Sequence, residues 1–147
     1  MKRILVVHGP NLNLTGLREP EIYGTTTLLE INARLQAIGS ERGAEVHCFQ
    51  SNHEGALIDA LHEARGKTEG AILNPGALSH YSYALRDAVA AVDFPVVEVH
   101  MSMIAARESF RHVSVIAPAC RAQVAGFGHM GYSLALEGLL RSLEETR

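Results

Sequence analysis

Short apolar runs, separated by segments of helical period, constrain this chain more than any other feature. In chain order they are residues 4–7 (Ile-Leu-Val-Val), a weaker run at 46–49, then 71–73, 96–99 (interrupted by Glu98) and 113–117 (interrupted by Ser114). Runs this short and rich in Val and Ile read as strands buried on both faces, as in a parallel sheet. Between them, Leu28, Ile31, Leu35 and Ile38 repeat at helical spacing, behind a capping box from Thr27 to Glu30 and ahead of a stop at Gly43. Ser51 and Glu54 predict a second capping box before Leu57, Ile58 and Leu61, with Gly66 after them. Leu85, Val89 and Val92 mark a third helix, and Leu136, Leu140 and Leu143 a last one.

A β-α unit repeated in this way predicts an α/β fold: a doubly wound parallel sheet with helices on both faces. Five strands suit the flavodoxin-like order 2-1-3-4-5. At roughly 150 residues per domain, the 147 residues make one domain, 1–147. The long loop over residues 10–27 exceeds an ordinary connection, and such loops are often active-site lids.

Composition narrows the function classes. A net charge of −3 argues against a nucleic-acid or acidic-membrane binder. Two cysteines, Cys48 and Cys120, are too few for a disulfide framework or a zinc set. Four apolar residues before His8 are too few for a signal peptide, and no apolar run is long enough to span a membrane, so a cytoplasmic protein is expected.

In open α/β sheets, ligands bind beyond the carboxyl ends of the strands. Polar residues crowd the ends of strands one, three and four: Asn11 and Asn13 with Arg18 and Tyr23 on the loop, Asn74 and His80, then Glu98, His100, Ser102, Arg107 and Arg111. Glu98 and His100, two apart on a strand, point the same way. A carboxylate beside a histidine sets its tautomer and favours its cation, which suits a general acid; the plainer reading is a surface Glu and a backbone-satisfied His. A short helical turn over 104–110 would put Arg107 and Arg111 on one face, and with Arg18 they would suit a carboxylate-bearing substrate or form a solvated basic face. A tyrosine is a poor base at neutral pH unless a cation in a dry site stabilises its anion; most loop tyrosines pack or hydrogen-bond.

Residues 126–131 match G-x-G-x-x-G, but too little chain follows to supply a dinucleotide site, leaving a close backbone approach and a turn into the last helix. There is no P-loop and no G-x-S-x-G. No metal and no organic cofactor are expected.

Residues 9–14 (GPNLNL) and 16–24 (GLREPEIYG), followed by 50–55 (QSNHEG), 74–77 (NPGA), 84–88 (ALRDA) and 98–100 (EVH), resemble in order the motifs of the type II 3-dehydroquinate dehydratases. The resemblance covers nearly the whole chain. It implies dehydration of 3-dehydroquinate to 3-dehydroshikimate through an enolate, without metal or Schiff base. Tyr23 would be the base, with Arg18 beside it and Arg107 assisting. Asn11 would stabilise the enolate oxygen. His100, oriented by Glu98, would be the acid. Ser102 and the backbone at Met101 would take the substrate carboxylate, and Asn74, His80, Asp87 and Arg111 the ring hydroxyls. The resemblance also implies a homo-oligomer, a dodecamer built from trimers in which Asp87 completes a neighbour's site.

Met103, Ala105 and the run Arg121, Ala122 and Gln123 depart from the family pattern. Met103 bears on the polarity of the carboxylate pocket, and the others are expected to touch subunit packing. Two other classes are to be weighed: a catalytically silent small-carboxylate-binding protein on the same fold, which stays as the alternative, and a nucleotide or phospho-relay module. The latter needs a phosphate loop or an acidic cluster at the strand ends, and neither is present.

Overall fold

The structure, a computed structural model, describes residues 1–145; Thr146 and Arg147, the end of the expected domain, lie outside the described residues. The strands are β1 (Lys2–His8), β2 (Ala44–Gln50), β3 (Gly70–Asn74), β4 (Val96–His100) and β5 (Ala122–Ala125). They form one parallel sheet in the order β2-β1-β3-β4-β5, as the alternation predicts. The helices are α1 (Pro20–Tyr23), α2 (Leu28–Glu41), α3 (Glu54–Glu63), α4 (Tyr83–Ala91) and α5 (Met130–Glu145). No described helix is long and apolar enough to cross a membrane.

The apolar strand runs are explained by two cores, one on each face. Ile4, Val6, Ile72, Val97 and Val99 face α2 and α5, packing on Ile31, Leu35, Tyr132, Leu136 and Leu139. Their neighbours Val7, Ala71, Leu73 and Val96 face α3 and α4, against Leu57, Leu61, Leu85 and Val89. Alternate residues thus point to opposite layers, and both layers are dry. Burying each such Leu or Val contributes about 2 kcal/mol.

Thr27 caps α2 as expected: its hydroxyl oxygen accepts from Glu30 N at 3.2 Å. Gly43 follows with φ 72°, the left-handed geometry that lets the chain turn into β2. The second capping box is not formed. His53 is the N-cap of α3 and makes no side-chain cap bond; Ser51 instead accepts from His53 N at 3.0 Å, and Glu54 accepts from the Ser82 hydroxyl across to α4.

The expected fifth strand at 113–117 is also corrected. Val115 N donates to Ser79 O at 2.7 Å, which ties the backbone of this segment to the connection after β3, and the segment makes no strand pairing with β4. Ile116 is fully buried and plugs the second core, while Val113 is 67% exposed. The pairing strand is β5, with Ala122 opposite Val97 and Ala125 opposite His100. As an edge strand with half-open faces it does not need an apolar run, so hydropathy does not reveal it. Residues 126–129 connect β5 to α5, in keeping with a glycine-rich turn.

Candidate active site

The carboxyl ends of β1, β3 and β4 open into a cavity of about 180 Å³, lined among others by Asn11, Arg18, Tyr23, Asn74, His80 and His100. Its floor requires a close approach of two connections. A Cβ on Gly9 would lie 2.6 Å from the Pro75 carbonyl oxygen, so only glycine lets the loop after β1 pass the loop after β3. Asn11 follows in the left-handed region, φ 70°, which asparagine tolerates, and its backbone N–H donates to Asn52 Oδ1 at 2.9 Å.

Tyr23 ends α1 and is half-buried. Two guanidinium groups flank its ring, Arg18 at 5.2 Å and Arg107 at 5.3 Å from the centroid. The one that reaches the phenolic oxygen is Arg107, whose Nη1 donates to it at 2.6 Å and to Ser102 Oγ at 3.3 Å. Sequence order favours Arg18 as the cation beside Tyr23; the fold gives the direct contact to Arg107, 84 residues away. Glu19 sits at φ 42° with its carboxylate 3.4 Å from Arg18 and 3.9 Å from Arg107, tying the two cations together.

On the neighbouring strand, Glu98 and His100 meet at 2.9 Å. Glu98 is fully buried, yet its carboxyl is held below the ordinary carboxylate range. Burial pushes it up, but the bond and charge of His100 and the bonds from Gln123 and Ser114 outweigh this. Gln123 Nε2 donates to Oε2 at 2.6 Å and the Ser114 hydroxyl to Oε1 at 2.8 Å. An ionised carboxylate only accepts, so His100 donates from Nε2, leaving Nδ1 unengaged by Glu98. His80 stacks on His100, centroids 6.2 Å apart, and its Nδ1 donates to Val113 O at 2.9 Å.

The cavity also takes in Met101, Ser102, Arg107 and Arg111. The expected turn over 104–110 is two separate 3-10 turns, Ile104–Ala106 and Ser109–Arg111, with Arg107 extended between them. The two arginines therefore share no helix face; they reach the cavity from different turns. Glu98 supports the cavity from beneath, through His100. Asp87 is exposed on α4 and does not line the cavity of its own chain.

Sequence reasoning missed Gln123 and Ser114 as supports of Glu98. Gln123, read from the sequence only as a residue of subunit packing, also reaches Glu98 from the edge strand. Its signal is register: Gln123 is paired with Glu98 across β4 and β5.

The family model described as class II dehydroquinase matches residues 2–140. The chain belongs to this family. It is 59% identical to a 3-dehydroquinate dehydratase of Ruegeria pomeroyi, over 97% of this chain and 96% of that protein. It is 54% identical to a 3-dehydroquinate dehydratase of Bacillus cereus, over 99% and 100% of the two chains. The crystal structure of a type II dehydroquinase from Butyrivibrio crossotus superimposes with a TM-score of 0.92 at 46% identity, covering 94% of this chain and 97% of that one. Membership of the family makes the chain an enzyme of the hydro-lyase class.

Proposed function

We propose that this chain dehydrates 3-dehydroquinate to 3-dehydroshikimate through an enolate, with Tyr23 as base and His100 as acid. The observation that carries the reading is one cavity bearing both an Arg107-bonded phenol and a Glu98-bonded imidazole.

The chemistry has two halves. A proton next to the substrate ketone passes to the Tyr23 oxygen, where the charges of Arg107 and Arg18 stabilise the anion that accepts it. The electron pair moves onto the carbonyl oxygen, and Asn11 supplies donors to that enolate. The enolate then collapses: its electrons form the new carbon–carbon double bond, and the adjacent C–O bond breaks. His100 protonates the departing hydroxyl, so that water leaves, and the Glu98 carboxylate stabilises its imidazolium form. Ser102 and the backbone at Met101 receive the substrate carboxylate, and Asn74, His80 and Arg111 the ring hydroxyls.

The same reading makes residues 1–147 one catalytic domain acting in the cytoplasm as a homo-oligomer, a dodecamer built from trimers. Asp87, away from its own cavity, would complete a neighbour's site. Large exposed side chains shortly before it in sequence, Tyr81 at 63% and Tyr83 at 66%, support an interface there.

The test is ultraviolet absorbance of the conjugated enone when the protein meets 3-dehydroquinate. Growth of the signal is expected, with a loss of at least about a hundredfold in Tyr23→Phe and in His100→Ala, the lower end for general acid–base catalysis. Folded protein that binds the substrate but forms no enone would leave a silent binder on the same fold. A nearly active Tyr23→Phe would put the base elsewhere.

A further inference from the structure

Four side chains from four elements form one hydrogen-bonded chain, of which Asn74 lines the cavity and the other three, Tyr132, His8 and Asn32, do not. Its polarity follows from a single unambiguous group. Gly76 N, a backbone donor, meets Asn74 Oδ1 at 3.1 Å, so the amide oxygen must face it. Asn74 Nδ2 then faces Tyr132 and donates to its hydroxyl oxygen at 2.9 Å. The Tyr132 proton goes to His8 Nδ1, 3.0 Å away, which must be the bare nitrogen. His8 therefore carries its proton on Nε2, which donates to Asn32 Oδ1 at 2.8 Å.

Reversing the Tyr132–His8 link would make the hydroxyl oxygen accept twice and leave its own proton, buried, without a partner along this chain. A flipped Asn74 amide would turn an NH₂ toward Gly76 N–H. Tyr132 and His8 are both fully buried, so bulk water does not compete for these bonds. Burial lowers the His8 pKa from 6.5 to about 4, against a smaller opposing effect of Asn32, so the ring is neutral at physiological pH and keeps one tautomer. With one amide proton committed to Tyr132 and the oxygen turned toward Gly76, the second Nδ2–H is the donor that Asn74 has left for the cavity it lines.

We propose that Tyr132, His8 and Asn32 are positioning residues that hold the Asn74 amide as a hydrogen-bond donor toward an oxygen of the substrate. This rests on the reading that Asn74 meets the substrate. None of the three touches the reacting atoms. They act through Asn74, and they connect the end of β1, α2 and α5 to the end of β3.

The experiment is a kinetic double-mutant cycle of Tyr132→Phe with Asn74→Ala, each variant first checked for folding by circular dichroism. Tyr132→Phe keeps the ring and removes only the hydroxyl. It is expected to lower kcat/KM about tenfold in the parent, the order of one lost buried hydrogen bond, and by less than about twofold in Asn74→Ala. Equal losses in the two backgrounds, or no loss in the parent, would overturn the relay. An Asn74→Ala enzyme with parental kcat/KM would instead sink the placement of Asn74 on the substrate, and the relay with it.

If Tyr132→Phe does not fold, the half-buried Asn32 serves. Asn32→Leu releases the far end of the chain and should cost about threefold, again only when Asn74 is present. Independently of activity, the imidazole ¹⁵N shifts of His8 should report a neutral ring protonated on Nε2. A proton on Nδ1 would refute the assigned polarity.

Discussion

Glu98→Gln removes one charge and almost no volume, so its effect measures what the ionised carboxylate does for His100. The two oxygens accept from three donors: His100 and Gln123 at Oε2 and Ser114 at Oε1. A glutamine has one acceptor oxygen and one NH₂ group. If the NH₂ faces Ser114, it meets a hydroxyl oxygen already accepting from Ala117 N at 3.0 Å and Ile116 N at 3.3 Å. If it faces the other way, it meets His100 Nε2–H and forces the opposite tautomer. Either arrangement costs roughly 1–3 kcal/mol for a buried donor without an acceptor. It also removes the charge-assisted bond that favours imidazolium. A combined loss of about 3 kcal/mol from the transition state corresponds to a fall of about a hundredfold in kcat. The assay is the rate of enone formation at saturating substrate, with binding of a substrate analogue measured in parallel. A folded variant within about threefold of the parent would refute the argument that His100 needs this carboxylate.

The same carboxylate links stability to pH. Because Glu98 is held below its ordinary range, its stabilisation is present above about pH 4.3 and is lost as pH falls through the lowered value. The stability gap between parent and Glu98→Gln, read from urea midpoints, should therefore narrow in strong acid. His8 acts at a milder pH. Its folded value near 4 lies below the ordinary 6.5, so the unfolded chain takes up a proton first. About 3 kcal/mol should be lost as pH falls from about 6.5 to about 4, and His8→Gln should flatten that part of the curve; an unchanged slope would place the titration elsewhere. Gly9→Ala should lower stability by about 2 kcal/mol, because its Cβ meets the Pro75 carbonyl. A melting temperature equal to the parent's would mean that the two loops can part.

The architecture, and the polar strand ends that line the candidate cavity, were legible in the amino-acid sequence for local reasons. Strands buried on both faces are apolar along most of their length, helices carry their period and Thr27 its cap, and a parallel sheet collects polar residues at its strand ends. Glu98 and His100 meet because a strand places residues two apart on the same side. What the tertiary structure alone decided were contacts between residues far apart in the chain. Arg107 reaches Tyr23 across 84 positions, Gln123 reaches Glu98 across 25, and His8 reaches Tyr132 across 124. Hydropathy even misplaces β5, because an edge strand need not be apolar while Ile116, buried outside the sheet, must be. Periodicity records which face of an element is buried; which partner waits there depends on how the layers close, and that is settled only when they pack.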